Sequence, residues 1–260
     1  MRGPGVVLLH SSLSSRQQWT RLAPELERAY DVLALDMLGY GDAPAVANPE
    51  AYSLLEETAH VLALADERFG RGARFHLVGH SYGGLAALAL AREHPGRVAG
   101  LAVYEPVCFN LATAGDPDLA LLRQVAATVA MHVRAGRLYE AARLFFDYWS
   151  GPNAFRLLPP AVQARLVQAI PKVPLDFQAA FLEPRVARAY AAITAPTLLM
   201  GGTQSPRLMR GMLRTLAIAI PNAALAWVEG GHMAPVTQPE QFNLMLGSFL
   251  DWTAPVAKAA

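Results

Sequence analysis

Six short runs of apolar residues constrain the fold more than any other feature of this sequence. Each run is nearly continuous, as in strands that are buried on both faces of a parallel sheet. Segments with helical periodicity lie between most of them, and strand–helix alternation of this kind builds right-handed βαβ units. The sequence therefore predicts an α/β fold, with a mostly parallel sheet of about six strands flanked by helices. The predicted strands are Val6–Leu9, Val32–Leu35, Phe75–Val78, Val98–Tyr104, Thr197–Met200 and Ala224–Val228, and the predicted helices lie around Gln17–Arg28, Leu54–Phe69, Tyr82–His94, Arg207–Ala219 and Glu240–Leu250.

The alternation is interrupted once, between the fourth and fifth predicted strands. Residues 109–192 contain no strand candidate, only helical segments separated by glycine and proline. A long insertion of this kind predicts a helical cap over the sheet. We therefore expect an α/β core of residues 1–108 and 193–260 and a cap of residues 109–192. Most apolar side chains of the insertion should form the core of the cap, and a few should line a pocket. The residues considered for these roles are Met131, Tyr139, Phe145, Phe146, Trp149, Phe155 and Phe177.

Composition excludes several classes of function. With 260 residues, 53% of them hydrophobic and 17% charged, the chain can bury the core of one large domain. A formal net charge of +1 gives no reason to expect binding to nucleic acid or to an anionic membrane. Cys108 is the only cysteine, so we expect no disulfide, and nothing indicates a metal or another cofactor. The apolar run near the N-terminus is too short for a signal peptide or a membrane span, which predicts a cytoplasmic protein.

A Gly-x-Ser-x-Gly pattern follows the third predicted strand and opens a helix, in the stretch FHLVGHSYGG. In this setting Gly79 and Gly83 allow a sharp turn that exposes the hydroxyl of Ser81 at the carboxyl edge of the sheet. The N-terminus of the following helix adds a partial positive charge that favours an oxyanion. The pattern predicts that Ser81 is a nucleophile; the alternative is a serine that merely occupies a strand-to-helix turn.

Four further segments carry motifs in a fixed order along with LVGHSYGG. They are VVLLHSSLSSRQQW at 6–19, VLALDMLGYGDA at 32–43, APTLLMGG at 195–202 and GGHMAPVTQPEQF at 230–242. Together these segments resemble the motifs of α/β-hydrolases with a helical cap, in the order oxyanion loop, Asp-x-x-Gly-x-Gly loop, nucleophile turn, acid-bearing strand and histidine loop. The resemblance implies a serine hydrolase but not a substrate, because this fold hosts many chemistries.

His232 is the candidate general base among seven histidines. It follows the last predicted strand after two glycines, at the edge where ligands collect in open α/β sheets. The order of serine first and histidine last also suits the hydrolase triad. We therefore expect His232 to take the proton of Ser81.

The acid of the triad is missing from its usual place. The resemblance predicts an Asp after the strand that ends at Met200, but Ser205 stands there, and residues 184–228 contain no Asp or Glu. The protein could lack catalysis, use a Ser-His dyad or take its acid from elsewhere. Of the carboxylates between serine and histidine, only Glu105 and Glu229 follow a strand directly, and Glu229 lies in the loop of the base itself. Some α/β-hydrolases, haloalkane dehalogenases among them, take the acid from the strand after the nucleophile, so we assign Glu105; the alternative is a Glu that pairs with an Arg at the cap hinge.

The oxyanion hole requires two fixed donors. The backbone N–H of Tyr82, directly after the nucleophile, is the first. By resemblance, the second is the N–H of Ser12 in His10-Ser11-Ser12, where Ser11 replaces the usual glycine. A serine would be strained there if the loop needed a positive φ. Asp36 is expected to hold its own loop together rather than to act chemically.

The first predicted strand begins within ten residues of Met1, whereas relatives usually place a hairpin before it. We therefore expect a shortened sheet that lacks this hairpin, with Val32–Leu35 at its edge; alternatively, the start is truncated. An exposed edge must be covered or paired, and a homodimer is one way to do this.

These observations predict a serine hydrolase with a Ser81-His232-Glu105 triad. An apolar cap without a charge cluster favours a small hydrophobic ester or lactone as substrate. Hydrolysis of a C–C bond in a diketone-like compound would use the same triad, and a non-catalytic binding or receptor protein on the same fold is the alternative outside enzymes. A haloalkane dehalogenase is disfavoured because its nucleophile is an Asp.

Overall fold

The computed structural model describes residues 3–113, 115–183 and 186–254. Within these ranges six strands form one sheet in the order β2-β1-β3-β4-β5-β6, and every pairing is parallel. The predicted α/β class and six-stranded sheet are thus confirmed. The strands are β1 (Gly5–Leu9), β2 (Asp31–Leu35), β3 (Phe75–His80), β4 (Val98–Tyr104), β5 (Thr197–Gly202) and β6 (Ala223–Val228).

Helices connect the strands and also fill the predicted insertion. Four of them, α4 to α7, lie between β4 and β5, and the others pack against the sheet. Short 3-10 helices include Arg16–Trp19, Phe109–Leu111 and Ile170–Lys172. The α-helices are α1 (Ala23–Leu26), α2 (Leu54–Phe69), α3 (Tyr82–Glu93), α4 (Pro117–Arg134), α5 (Leu138–Ser150), α6 (Pro160–Ala169), α7 (Val173–Leu182), α8 (Arg207–Ala219), α9 (Ala234–Thr237) and α10 (Pro239–Thr253).

One predicted helix is wrong in its extent. The segment predicted as a single helix at Gln17–Arg28 forms the 3-10 helix Arg16–Trp19 and then the separate α1. Pro24 lies in the first turn of α1, where its missing N–H costs nothing. Inside a continuous helix the same proline would remove a hydrogen bond, and so the helix restarts here.

The apolar core lies on both faces of the sheet, which explains the continuous apolar runs. Along β1, Val7 and Leu9 pack into a cluster that includes residues of α2, α3 and α8. Val6 and Leu8 point the other way, into a second cluster with residues of α1 and α10. Because side chains alternate between the faces of a strand, a strand covered on both sides must be apolar at every position.

The insertion helices pack mainly on one another and cover the carboxyl edge near α3 and α8. Phe145, Phe155 and Phe177 are buried, as expected of a cap core. Met131 and Tyr139 are 46% and 44% exposed, so they do not belong to that core. The division into a core of residues 1–108 and 193–260 and a cap of residues 109–192 stays a prediction, and its residues 1–2, 114, 184–185 and 255–260 lie outside the described ranges.

Strand β2 lies at one edge of the sheet, as the sequence predicts. Its pairing with a second subunit stays a prediction. In the described part of the chain, no helix has both the length and the apolar character that crossing a membrane requires.

Candidate active site

Ser81 occupies a sharp turn between β3 and α3. Its backbone has φ 57° and ψ −117°. Residues with a side chain rarely adopt this backbone conformation, and such strained residues cluster at functional sites. The turn requires glycines on both sides. A Cβ on Gly79 would lie 2.4 Å from the carbonyl oxygen of Gly83, and a Cβ on Gly83 would lie 2.4 Å from that of His10. The two glycines therefore let β3, α3 and the end of β1 approach closely around the serine.

The structure brings Ser81, His232 and Glu105 together in one hydrogen-bonded row. Ser81 Oγ lies 3.0 Å from His232 Nε2, and Glu105 Oε2 lies 2.8 Å from His232 Nδ1. All three residues are buried or nearly so. Since an ionised carboxylate can only accept, His232 Nδ1 carries the proton, which leaves Nε2 free to accept the hydrogen bond from the serine hydroxyl.

Glu105 reaches the histidine from the end of β4. Its φ of 42° turns the chain out of the strand, and its N–H donates to the carbonyl of Met200 at 3.0 Å. The second carboxylate oxygen, Oε1, accepts the N–H of Gly202 at 2.7 Å. Gly202 is the last residue of β5, directly before the loop that would carry the acid by the resemblance, so the end of this strand supports the glutamate that comes from β4. Glu229, the other candidate, is exposed.

Two side chains that the sequence did not single out hold the loop of His232. His80 Nε2 donates to the carbonyl of His232 at 2.8 Å, and the amide of Gln18 lies 3.2 Å from His80 Nδ1. Burial lowers the pKa of His80 well below its ordinary value, and the nearby His232 lowers it further. His80 is therefore neutral, with Nε2 as donor and Nδ1 as acceptor. The carbonyl of Gly231 accepts a further hydrogen bond, from the hydroxyl of Tyr104 at 2.8 Å.

Gln18 also binds Ser11, the serine that replaces the usual glycine of the oxyanion loop. Its Oε1 accepts both the N–H and the hydroxyl of Ser11, each at 3.0 Å. The described non-glycine residues with positive φ are Leu13, Ser81, Glu105 and Asn153, so Ser11 carries no such strain. Ser12 and Tyr82, the predicted sources of oxyanion donors, line the same cavity as Ser81. Asp36 does hold its loop, since it accepts the N–H groups of Arg16 and Asp42.

A buried cluster of charged and phenolic side chains lies beside Ser12 and Tyr82. Lys172 and Asp176 come from the insertion, and Glu57 comes from the start of α2. All three are at most 5% exposed. Sequence reasoning missed this cluster because the spacing of Lys172 and Asp176, four residues apart, is usually that of an exposed helical ion pair.

Ser81 lines two cavities of different size. The larger, about 170 Å³, also contacts Phe146, Leu166, His232 and Val236. The smaller, about 20 Å³, reaches Val107, Phe109 and Asp176. Trp149 of α5 lines both, and its ring stacks on that of His232 with 4.1 Å between ring centroids.

Within the described residues, no group of three or more His, Cys, Asp or Glu side chains is arranged to hold a metal ion. Burial raises the pKa of the Cys108 thiol to about 12, so this cysteine stays protonated. The reactive groups at the edge of the sheet are therefore the serine, the histidine and the carboxylate already described.

Comparisons with known proteins identify the family of this chain. A model of the alpha/beta hydrolase family matches residues 6–243. The chain is 30% identical over 253 residues to a protein of Pseudomonas syringae pv. syringae named "Putative carbamate hydrolase RutD", covering 95% of this chain and 93% of that one. It is 31% identical over 261 residues to a protein of the same name from Caulobacter vibrioides, covering 96% and 91%. The crystal structure of an enol-lactonase from Burkholderia xenovorans superposes with a TM-score of 0.78 at 23% identity, covering 96% and 92% of the two chains, which shows a shared fold.

Proposed function

Because the chain belongs to the α/β-hydrolase family and is a hydrolase, we propose that it cleaves a carboxylic ester or lactone through a Ser81-His232-Glu105 triad. The observation that carries this proposal is the row of hydrogen bonds from the Ser81 hydroxyl through His232 to Glu105. The row supplies a nucleophile, a base within reach of its proton, and a carboxylate that fixes the tautomer of the base.

In this mechanism Ser81 Oγ attacks the carbonyl carbon of the substrate while His232 Nε2 takes the hydroxyl proton. The backbone N–H groups of Tyr82 and Ser12 stabilise the negative oxygen of the tetrahedral intermediate. As the intermediate collapses, the bond to the leaving oxygen breaks, and the protonated His232 donates its proton to that oxygen. Water then attacks the acyl-enzyme, with His232 again as base, and releases the acid and the free serine.

Glu105 stabilises the positive charge that His232 carries during each of these steps. The carboxylate remains ionised, accepts the Nδ1 proton as a hydrogen bond and keeps the ring in place. The N–H of Gly202 satisfies the oxygen that does not face the histidine. A carboxylate buried in this way would be costly without both partners.

The cavities support a small hydrophobic substrate. Their walls at Val107, Phe109, Phe146 and Leu166 are apolar, and Ser81 lines both cavities. The smaller cavity has room for about one water-sized group, so the bulk of the substrate would lie in the larger one, beside Phe146 and Leu166.

Carbamate hydrolysis is a second candidate, favoured by the name of the two RutD relatives. A carbamate carbonyl would be attacked by the same serine, so the geometry of the triad does not separate the two candidates. Hydrolysis of a C–C bond would likewise use the same three residues. The family match to hydrolases counts against a non-catalytic receptor.

Labelling with a fluorophosphonate tests the proposed nucleophile directly. The wild-type protein should form a covalent adduct on Ser81, located by peptide mass spectrometry, and the Ser81→Ala variant should form none. The nucleophile assignment is wrong if both proteins label equally little. Hydrolysis rates on matched p-nitrophenyl esters, lactones and carbamates then rank the substrate classes, and a preference for carbamates by tenfold or more would replace the ester proposal with the second candidate.

A further inference from the structure

The buried cluster of Lys172, Asp176, Glu57, Tyr40 and Tyr52, called here the cap cluster, has no part in the mechanism described above. It nevertheless contacts the two residues whose backbone N–H groups are the proposed oxyanion donors. Ser12 donates its hydroxyl proton to Asp176 Oδ2 at 2.6 Å. The hydroxyl of Tyr82 lies 2.8 Å from that of Tyr52.

Each polar atom at the centre of the cap cluster has a partner. Lys172 Nζ donates to Asp176 Oδ1 at 2.5 Å and to the hydroxyl of Tyr52 at 2.9 Å, and it forms an ion pair with Glu57 Oε2 at 3.5 Å. Tyr52 donates its own proton to Glu57, so Tyr82 is the donor in the contact between the two tyrosines. Asp176 Oδ2 also accepts the hydroxyl of Tyr40 at 2.5 Å.

The aromatic rings around Lys172 tighten this arrangement. Its Nζ lies 4.4 Å from the ring centroid of Tyr52, 5.0 Å from that of Tyr82 and 5.1 Å from that of Tyr40. Cation–π contacts of this length are strongest where water is excluded. A buried ammonium with two hydrogen bonds and an ion pair fixes its neighbours, because any displacement would leave a charge unsatisfied.

The cap cluster joins two separate parts of the chain. Lys172 and Asp176 belong to the insertion between β4 and β5, whereas Ser12 follows β1 and Tyr82 opens α3. On the premise of the proposed function, we infer that the Lys172–Asp176 pair of the insertion is a positioning pair that fixes both oxyanion donors through the side chains of Ser12 and Tyr82. The oxyanion hole is then complete only while α7 keeps Asp176 in contact with Ser12.

This role is separable from the chemistry because the side chains of Ser12 and Tyr82 can be removed without removing their N–H groups. Ser12→Ala deletes the hydroxyl that binds Asp176, and Tyr82→Phe deletes the hydroxyl that binds Tyr52. Each variant should lower kcat on p-nitrophenyl butyrate about tenfold, since small displacements of catalytic groups cost one to two orders of magnitude. KM should stay within about twofold of the wild-type value, because the cavity walls are retained.

A double-mutant cycle tests whether Asp176 acts through Ser12. Asp176→Asn also weakens the pairing of Lys172, so it should lower kcat at least as much as Ser12→Ala, and the double variant should lose no more than Asp176→Asn alone. Arg165→Ala is the control in the insertion: Arg165 Nη1 donates to Gln17 Oε1 at 3.1 Å, a contact with the rest of the chain that involves no residue of the cap cluster. It should keep the wild-type kcat.

The inference is overturned if Ser12→Ala and Tyr82→Phe both keep the wild-type kcat. It is also overturned if the fold-losses in kcat of Ser12→Ala and Asp176→Asn multiply in the double variant. If Asp176→Asn does not fold, Ser12→Ala and Tyr82→Phe still decide the matter. Ser81→Ala separates this inference from the proposed function. If Ser81→Ala is as active as the wild type, the proposed function fails together with the inference. If Ser81→Ala is inactive while Ser12→Ala and Tyr82→Phe have the wild-type kcat, only the inference fails.

Discussion

Glu105 and His232 are 127 positions apart in the chain, yet Oε2 of the glutamate lies 2.8 Å from Nδ1 of the histidine. The contact is possible because parallel strands bring their carboxyl ends to one edge of the sheet. β4 is hydrogen-bonded to β5, and β5 to β6, so the loops after β4 and β6 flank the loop after β5. Gly202, the last residue of β5, donates its N–H to the second carboxylate oxygen of Glu105 at 2.7 Å.

Trp149 should assist the histidine beyond shaping the cavity. Its ring stacks on His232 at 4.1 Å with an interplanar angle of 30°, so its π face meets the imidazolium that forms in the reaction. A cation–π contact of this kind is worth roughly 0.5–2 kcal/mol. We therefore expect Trp149→Ala to lower kcat by about tenfold, measured by steady-state kinetics on p-nitrophenyl butyrate. A variant with raised KM and unchanged kcat would restrict Trp149 to substrate binding.

Gly83→Ala should disrupt both the fold and the nucleophile turn. The added Cβ would lie 2.4 Å from the carbonyl oxygen of His10 and 2.6 Å from that of Leu9, and backbone atoms cannot move aside cheaply. We expect a loss of about 1–3 kcal/mol in the free energy of unfolding, measured by urea titration. Gly247→Ala is the matched control, since nothing lies within 4 Å of its Cβ in α10, and it should stabilise the protein by roughly 0.5–1 kcal/mol. Equal stability of the two variants would contradict the close approach at Gly83.

Stability should fall as the pH falls below the ordinary pKa of histidine. Burial lowers the pKa of His10 from 6.5 to about 4, against the opposing effect of its hydrogen bond to the carbonyl of Ser11. Between these values the unfolded chain binds a proton that the folded protein does not, so acid favours unfolding. His10 alone should reduce the free energy of unfolding by about 2 kcal/mol between pH 7.5 and pH 5.

Urea titrations at these two pH values measure this effect. Burial also lowers the pKa of His80, which adds to the loss in the same direction. Replacing His10 by Gln should reduce the dependence on pH, because the titrating group is gone. A wild-type stability that is equal at both pH values would contradict the prediction.

Much of the fold could be predicted from the sequence because the strands are buried on both faces. All six predicted strands are present, and β4 has the predicted bounds. The helix predicted at Gln17–Arg28 was wrong because a proline restarts the helix inside it. Periodicity alone does not distinguish one continuous helix from two short helices that share the same apolar pattern.

The residues of the candidate site likewise include some that the sequence predicts and some that it does not. Ser81, His232 and Glu105 follow strands directly, and the geometry of a parallel sheet indicates that such residues meet. Gln18 lies within the oxyanion-loop segment but had no predicted role, and Trp149 and Asp176 lie in the insertion. All three reach the site through the packing of loops and insertion helices. Their roles depend on distances that a sequence does not contain.

The most direct test of the account replaces Glu105 with Gln, which keeps the shape of the side chain and removes its charge. With Gln in this position the carboxylate that fixes the His232 tautomer is lost, and kcat should fall by about 10⁴. Glu229→Gln, at the exposed glutamate of the neighbouring loop, should keep the wild-type rate. Turnover of p-nitrophenyl butyrate by Glu105→Gln within tenfold of the wild type, with Ser81→Ala inactive, would contradict the assignment of Glu105 as the acid.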